Sequence, residues 1–552
     1  MTQALSLTVF AKSDGPLTKR ISLAENGSLK SDGSACIMAR GTARRFEFSG
    51  VEPLAALIEQ LSSHEALALG TLRLDLPDCV DVVTKRKLNG ALRPDIIART
   101  TDYLAYGAGL PALVLVDYDN KAMPHGVRAR IDELGGLWPA LAYALPALSG
   151  VAHVTRSSTS AGLYRTDTGA ELPGSSGLHV FVLVQNGMDS ERFLKTLHLR
   201  CWLAGLGWMM VGAGGQLLER SIVDRVVGSP ERLVFEGPPI LDPPLAQHKE
   251  SRRAVATPGE ALDTVAACPS LTIPEQAKFR ELRAKEAVRL GEDARKARNE
   301  FVAHQAQRFT DRTGLAQDQA RRVIERQCDG ILLPDIVLPF DDEELVGATV
   351  ADVLADPGRF EDATLADPIE GPQYGAGKAK IMRRADGTLW INSFAHGRTI
   401  YELQRDYRSA EAALNKASAD EVADVFVRCV LGGDLGEDEI DRLRNLASKI
   451  GCIGKRALDA LLKRARRERT ARRHQEEREW RLAQRRDPRP QVPLPAVDEE
   501  WLPQMRVLND VLGGCRDAEP PARNANKLAA QVRARRIPSL HLLSTRESNR
   551  DD

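Results

Sequence analysis

The alternation of apolar and polar positions predicts a mixture of strands and helices in the first part of the chain. Short apolar or alternating runs, bounded by turn residues, predict strands at 5–12 and 44–51. Residues 51–70 have the pattern of a helix followed by its turn. The basic stretch 84–100 then predicts a loop that leads into the next region.

Strand and helix patterns continue to alternate from 101 to 245. Apolar runs predict strands at 112–119 and 177–187, and a further extended segment at 220–228. Amphipathic patterns predict helices at 125–145 and 189–207. This order of elements predicts an α+β fold with a mixed sheet, followed by helical segments and a small β-containing module.

Changes in composition along the chain predict several domains, as its length of 552 residues suggests. The predicted regions are an N-terminal α/β module (1–95), a core (96–247), a helical connector (248–334), a small β-rich module (335–405), a basic helical region (406–490) and a mostly disordered tail (491–552).

Composition narrows the class of protein without naming a function. The net charge is zero and 43% of residues are hydrophobic, so any surface for nucleic acid must be local. The eight cysteines form no CxxC pair, which favours free thiols in a cytoplasmic protein. The start of the chain lacks the apolar stretch of a signal peptide, and no run is long enough to predict a membrane span.

Two carboxylates follow the apolar run "LVLV". Asp117 and Asp119 are two positions apart, so a strand would place both on one side of its end. Two like charges this close repel unless a cation lies between them, and oxygen ligands suit Mg²⁺ or Mn²⁺. The alternative is a turn with solvated aspartates.

Two later stretches carry further candidate groups. In "GSSGLH", Ser175, Ser176 and Gly177 could present N–H groups and hydroxyls to a phosphate, and His179 could donate to it. A hairpin turn followed by a histidine on a strand face is the simpler alternative. In "SIVD", Asp224 is predicted to lie in an apolar strand, where a carboxylate is costly unless it is paired or ligating.

Together these motifs predict a two-metal phosphoryl-transfer site. The ordered set "VLVDYD", "GSSGLHVFV" and "SIVD" resembles the archaeo-eukaryotic primase superfamily, in particular the primase-polymerases of plasmids and integrated mobile elements. The resemblance covers roughly residues 90–245. It implies an RRM-like catalytic core in which Asp117, Asp119 and Asp224 ligate the metals and His179 contacts the nucleotide's phosphates. Arg220 and Arg232 are added on electrostatic grounds, to neutralise a triphosphate.

The resemblance implies a DNA primase or primase-polymerase that uses nucleoside triphosphates and a single-stranded DNA template. The segment 377–403 resembles a primase zinc ribbon that has lost its cysteines and retains only His396, so no zinc is expected. The Gly-rich stretch 371–380 fails as a P-loop, because Pro372 and Ala379 occupy required positions. A helicase would therefore be a separate protein, or has been lost.

The basic segment 463–490 is the candidate contact with nucleic acid. It carries twelve Lys and Arg against five Asp and Glu. The predicted contact residues are Lys463, Arg464, Arg466, Arg467, Arg472 and Arg473. A solvated helix with Glu–Arg pairs four positions apart is the alternative.

Two other functions compete with the polymerase. A nuclease or relaxase is disfavoured because the histidines are dispersed. The main rival is a non-catalytic replication-initiation protein that binds DNA and retains a primase-like fold.

Overall fold

The computed structural model describes residues 4–88, 95–120, 122–174, 176–384, 386–395 and 400–484. The N-terminal elements are β1 (Leu5–Lys12), β2 (Arg20–Leu23), β3 (Leu29–Asp32), β4 (Arg40–Phe48), α1 (Glu52–Gln60), β5 (Glu65–Ala68), β6 (Thr71–Leu72), β7 (Cys79–Val83), α2 (Lys85–Leu88), β8 (Ile96–Ala98) and β9 (Leu104–Ala105).

The core elements follow. They are β10 (Ala112–Tyr118), α3 (His125–Glu133), α4 (Leu137–Ala144), β11 (His153–Ser157), β12 (Leu163–Arg165), β13 (Leu178–Val184), α5 (Ser190–Leu203), β14 (Gly207–Val211), β15 (Leu217–Ser221), β16 (Leu233–Val234), β17 (Ile240–Leu241), β18 (Leu245–Gln247), β19 (Val255–Thr257) and α6 (Thr264–Ala267).

The remaining elements are mostly helical. They are α7 (Ile273–Arg289), α8 (Gly291–Thr313), α9 (Gln317–Cys328), β20 (Ile331–Leu332), α10 (Val350–Ala355), α11 (Pro357–Phe360), β21 (Thr364–Leu365), β22 (Ala379–Arg383), β23 (Leu389–Ser393), β24 (Ile400–Leu403), α12 (Tyr407–Lys416), α13 (Val422–Leu431), α14 (Glu437–Gly451) and α15 (Lys455–Gln484). Residues up to Asp459 form one compact unit, and α15 continues beyond it in a second unit.

The fold is α+β with mixed sheets, as the sequence predicted. The first sheet has the strand order β16-β5-β1-β4-β7-β8, in which only β7 and β8 pair in parallel. The core sheet has the order β10-β13-β11-β19 and its pairs are antiparallel. The first sheet combines strands of the N-terminal region with β16 from the core region, and β19, from beyond residue 247, completes the core sheet.

One hydrophobic core joins the two sheets. Helix α1 begins with Glu52 and Pro53, residues suited to a first helical turn, and buries Leu54, Leu57 and Ile58 on one face. Strand β10 is buried at every position from Ala112 to Val116, which explains its unbroken apolar run. Both elements belong to the same core cluster. The N-terminal region therefore supports the core sheet directly.

Three local predictions need correction. The pattern at 125–145 predicted one helix, but the chain forms two, α3 and α4. Gly135 and Gly136 lie between these helices and have φ of +91° and +107°, which interrupts the helical backbone. The segment after α1 forms the strand β5 rather than a turn alone. The predicted basic loop contains α2 and β8, with 89–94 outside the described residues.

The small β-rich module predicted at 335–405, together with β20, is called the C-terminal module below. It is built on a sheet of order β20-β24-β23-β22-β21 with its own hydrophobic core. The described part of 335–405 contains the strands β21 to β24, as expected of a β-rich module, whereas His396 lies outside the described residues. Among the helices that the structure describes, none is both long enough and apolar enough to cross a membrane.

Candidate active site

The core sheet places three polar residues in one row across adjacent strands. Asp117 on β10 lies opposite His179 on β13, and His179 lies opposite Arg156 on β11. Residues opposite each other in an antiparallel pair share a face of the sheet. The neighbouring residues Val116 and Val180 are buried. The aspartate and histidine of two separate sequence motifs therefore meet at one place.

The imidazole of His179 lies between two carboxylates. Its Nδ1 contacts the Glu236 carboxylate, and its Nε2 is 3.6 Å from Asp117 Oδ1. Burial lowers the pKa of His179, but the charge and hydrogen bond of Glu236 and the charge of Asp117 outweigh it and raise the pKa to about 9. The imidazole is therefore protonated at neutral pH and can donate from either nitrogen.

Glu236, which the sequence analysis missed, anchors a buried network of charges. Its side chain is only 1% exposed, and its Oε2 lies 3.1 Å from Arg156 Nε and 3.8 Å from an Arg252 amino group. Arg156 also donates to Glu59 on α1 at 2.7 Å. A buried carboxylate requires such partners, so Glu236 holds the orientation of His179 and both arginines together. The only sequence signal was one acidic residue in "LVFEGPP".

Asp224 reaches the site by a different route from the one predicted. Strand β15 ends at Ser221, so Asp224 lies in the bend that follows rather than in a strand. Its backbone N–H donates to the Asp117 carbonyl at 3.2 Å, and its carboxylate accepts from Val226 N at 3.0 Å. Arg225 pairs instead with Glu219 at 3.0 Å. Asp224 is thus fixed beside the end of β10.

The carboxylates influence one another. Burial raises the pKa of Asp117, and the charges of Asp224 and Asp119 raise it further, while His179 and Arg232 oppose them. Asp119 follows β10 directly and is exposed. Oxygen donors gathered in this way suit a hard divalent cation. In the described part of the chain, however, no three His, Cys, Asp or Glu side chains are positioned to hold a metal as they stand.

The predicted phosphate turn is only partly described. Ser175 lies outside the described residues, Ser176 is exposed, and the Gly177 carbonyl accepts from Ser158 N at 2.9 Å. A side chain at Gly174 would place its Cβ 1.9 Å from the Ser160 carbonyl, so the turn packs closely against that backbone. Ser176 lies two residues before β13, the strand that carries His179.

Of the two arginines chosen on electrostatic grounds, Arg232 is linked to the aspartates. Its Nη1 donates to the Val226 carbonyl at 3.2 Å, and its charge lowers the pKa of Asp117 against burial. Arg220 lies on β15 opposite Trp208. Tyr374 belongs to the C-terminal module. Burial raises the pKa of Tyr374 to about 12, and the charge of Arg220 opposes that rise.

The basic residues of α15 form an exposed stretch of helix. Lys463, Arg464, Arg466, Arg467 and Arg472 are exposed, and the side chain of Arg473 is outside the described set. Arg464 donates to Glu468, four positions on, at 2.8 Å. Both alternatives thus have support: a row of accessible cations and a Glu–Arg pair of the solvated type.

No family model, curated protein or solved structure matches this chain. The interpretation of the site therefore depends on its geometry and on the motifs themselves.

Proposed function

We propose that this protein is a template-dependent nucleotidyltransferase, a DNA primase or primase-polymerase of a plasmid or mobile-element replication system. The observation that carries the proposal is the pairing of Asp117 with His179 on adjacent strands, with Asp224 tethered to the Asp117 backbone. Three motifs that are far apart in sequence thus supply carboxylates and a protonated imidazole to one place. That combination suits transfer of a nucleotidyl group from a triphosphate.

The acidic and basic groups would have different tasks. Asp117, Asp119 and Asp224 would hold Mg²⁺ or Mn²⁺, which when bound would neutralise phosphate charge and favour attack by a 3′-hydroxyl. The donor set fits such ions by its chemistry, since the Asp117 charge is already destabilised by burial and by its acidic neighbours. His179 would donate to a phosphate oxygen while Glu236 holds the ring in place.

A second candidate function is a non-catalytic replication-initiation protein. The observation that favours it is that the described carboxylates form no ready-made metal site, while α15 presents exposed cations. Such a protein would bind DNA through the helix and use the core only as a scaffold.

Nucleotide incorporation separates these functions. The assay would use primed and unprimed single-stranded DNA with Mg²⁺ or Mn²⁺, and would compare the wild type with Asp117→Asn/Asp119→Asn. Asp75→Asn provides a matched control, because Asp75 is an exposed aspartate that pairs with Arg73. We expect the double variant to lose at least about 100-fold in rate while the control keeps its activity. The unprimed reaction distinguishes a primase from a polymerase.

Stability provides an independent control on that loss. Burial and nearby carboxylates raise the pKa of Asp117, so its charge opposes folding at neutral pH. We therefore expect Asp117→Asn to leave the free energy of unfolding unchanged or slightly higher. A different outcome of the incorporation assay would favour the initiation protein. In that outcome the wild type and Asp117→Asn/Asp119→Asn both bind DNA, and neither incorporates nucleotides on any template with either metal.

A further inference from the structure

A buried histidine contacts both sides of the bend that carries Asp224. His198 lies on α5, outside the three sequence motifs, and is 1% exposed. Its Nδ1 is 2.9 Å from Oγ of Ser221, the last residue of β15, and its Nε2 is 3.5 Å from Nη1 of Arg225. The imidazole therefore reaches the chain three residues before Asp224 and one residue after it.

The hydrogen bonds of this imidazole have a definite direction. Arg225 can only donate, so Nε2 of His198 accepts, and Nδ1 carries the proton that is donated to Ser221. The Ser221 hydroxyl in turn donates to the Val223 carbonyl at 3.0 Å and accepts from the Val223 N–H at 3.1 Å. Burial and the charge of Arg225 lower the pKa of His198 to about 3, so the ring is neutral, as this chain of hydrogen bonds requires.

Arg225 is held on its other side by an ion pair. Its Nη1 donates to Glu219 Oε2 at 3.0 Å, and the Glu219 carboxylate also pairs with Arg283 of α7. Glu219 lies on β15, two residues before Ser221. The residue that follows Asp224 is thus connected through its side chain to β15, α5 and α7.

The bend needs these contacts because the sheet does not fix it. Pairing of β14 with β15 ends at Ser221, and the described residues 222–232 form no strand. The Asp224 N–H donates to the Asp117 carbonyl at 3.2 Å, and the Asp224 carboxylate accepts from Val226 N at 3.0 Å. The orientation of Asp224 relative to Asp117 therefore depends in part on the side-chain contacts of Ser221 and Arg225.

We propose that His198 is a positioning residue for metal binding. Through its hydrogen bonds it fixes the bend on both sides of Asp224, and so holds that carboxylate beside Asp117. This inference rests on the proposed function, in which both aspartates ligate a divalent cation, and deepens it by assigning what orients one ligand. Removing a group that orients a metal ligand commonly weakens metal binding by about 10- to 100-fold. A histidine that only stabilises the core would leave that affinity unchanged.

The test is Mn²⁺ binding by the full-length protein, followed by the loss of the electron paramagnetic resonance signal of free Mn²⁺. His198→Leu removes both hydrogen bonds of the ring and keeps an apolar group in the core. His198→Asn retains an N–H donor close to the place of Nδ1, so it can still reach Ser221. Ser221→Ala breaks the same contact from the other side and decides the outcome if His198→Leu does not fold. Asp224→Asn shows how much of the binding involves the proposed ligand.

His153→Leu is the matched control, because it removes another buried histidine of the core region. His153 is 5% exposed, its Nδ1 lies 2.8 Å from the Val151 carbonyl, and its ring stacks on Trp138 with 3.7 Å between the ring centres. Neither of these partners belongs to the bend that carries Asp224. Urea unfolding of every variant measures the free energy of unfolding separately from the affinity for Mn²⁺.

We expect His198→Leu and Ser221→Ala to weaken Mn²⁺ binding by about 10-fold, and His198→Asn to recover most of that loss. His153→Leu should lower the free energy of unfolding without changing Mn²⁺ binding. In incorporation assays, the Mn²⁺ concentration that gives half the maximal rate should rise in parallel with the dissociation constant.

The possible outcomes distinguish the inference from the proposed function. Unchanged Mn²⁺ binding by both His198→Leu and Ser221→Ala, with a loss of stability alone, would overturn the inference and leave the proposed function intact. Unchanged binding by Asp224→Asn would also overturn it, because Asp224 would then not be a ligand. Binding that depends on His198, without incorporation on any template, would support the inference and contradict the polymerase. Absence of Mn²⁺ binding by the wild type would overturn both.

Discussion

Replacing Glu236 by Gln tests whether the buried charge network holds the site together. The substitution keeps the size of the side chain and removes its charge. Arg156 and Arg252 would then lose a counter-charge while 7% and 5% exposed, and His179 would lose its nearest acceptor carboxylate. Breaking a buried ion pair by removing one partner costs about 3–5 kcal/mol, because the other charge stays buried without compensation.

Urea unfolding followed by tryptophan fluorescence measures this loss. The fluorescence reports on the same core, since Trp208 is 2% exposed and belongs to the cluster that joins the two sheets. Asp242→Asn is the control, because Asp242 forms an exposed ion pair with Arg20. An exposed pair contributes about 0–1 kcal/mol, so the control should unfold almost as the wild type does.

A double variant checks the cause. If Glu236 stabilises the fold by neutralising Arg156, then Arg156→Gln should destabilise the Glu236→Gln protein less than it destabilises the wild type. We expect a coupling free energy of about 1–3 kcal/mol. A loss of less than about 1 kcal/mol in Glu236→Gln, matching the exposed control, would refute the reasoning, as would strictly additive effects of the two substitutions.

Two further predictions concern the charge of a histidine and the role of a helix. In EDTA, the pKa of His179 in the folded protein is about 9, above the ordinary 6.5, because Glu236 and Asp117 outweigh burial. Protonation of His179 therefore contributes about 3 kcal/mol to the free energy of unfolding. This contribution is complete below pH 6.5 and is lost as the pH rises through 9. NMR of labelled histidines, assigned with His179→Asn, measures this, and a pKa at or below 6.5 would contradict it. Arg466→Gln/Arg467→Gln should weaken single-stranded DNA binding and reduce the slope of log K against log salt by about 1.4, whereas an unchanged slope would assign α15 to the solvated type.

The candidate site was only partly accessible to sequence reasoning. Asp117 follows an apolar run that predicts a buried strand, so its position near a strand end followed from the pattern. The position of His179 on the next motif's strand followed in the same way. The adjacency of Asp117 and His179 could not be predicted from the pattern, because pairing of β10 with β13 depends on how the intervening chain folds back.

The error at Asp224 has a local cause. The segment 220–228 is apolar enough for a strand, but pairing of β14 with β15 ends at Ser221 and the chain then bends toward β10. Hydrophobic pattern records that residues are buried and does not record whether they have strand partners. Burial without pairing therefore gives the same sequence signal as a strand.

The sequence by itself predicted β1, β4, β10 and β13, the helices α1 and α5, the α+β class and the order of the motifs, since these depend on periodicities of two and 3.6 residues within a short window. Only the tertiary structure decided which charged residues meet. Glu236 contacts His179 from 57 positions away, and Arg156 donates to Glu59 from 97 positions away. Such contacts depend on the path of the whole chain and on which buried charges find partners, and no local pattern encodes either.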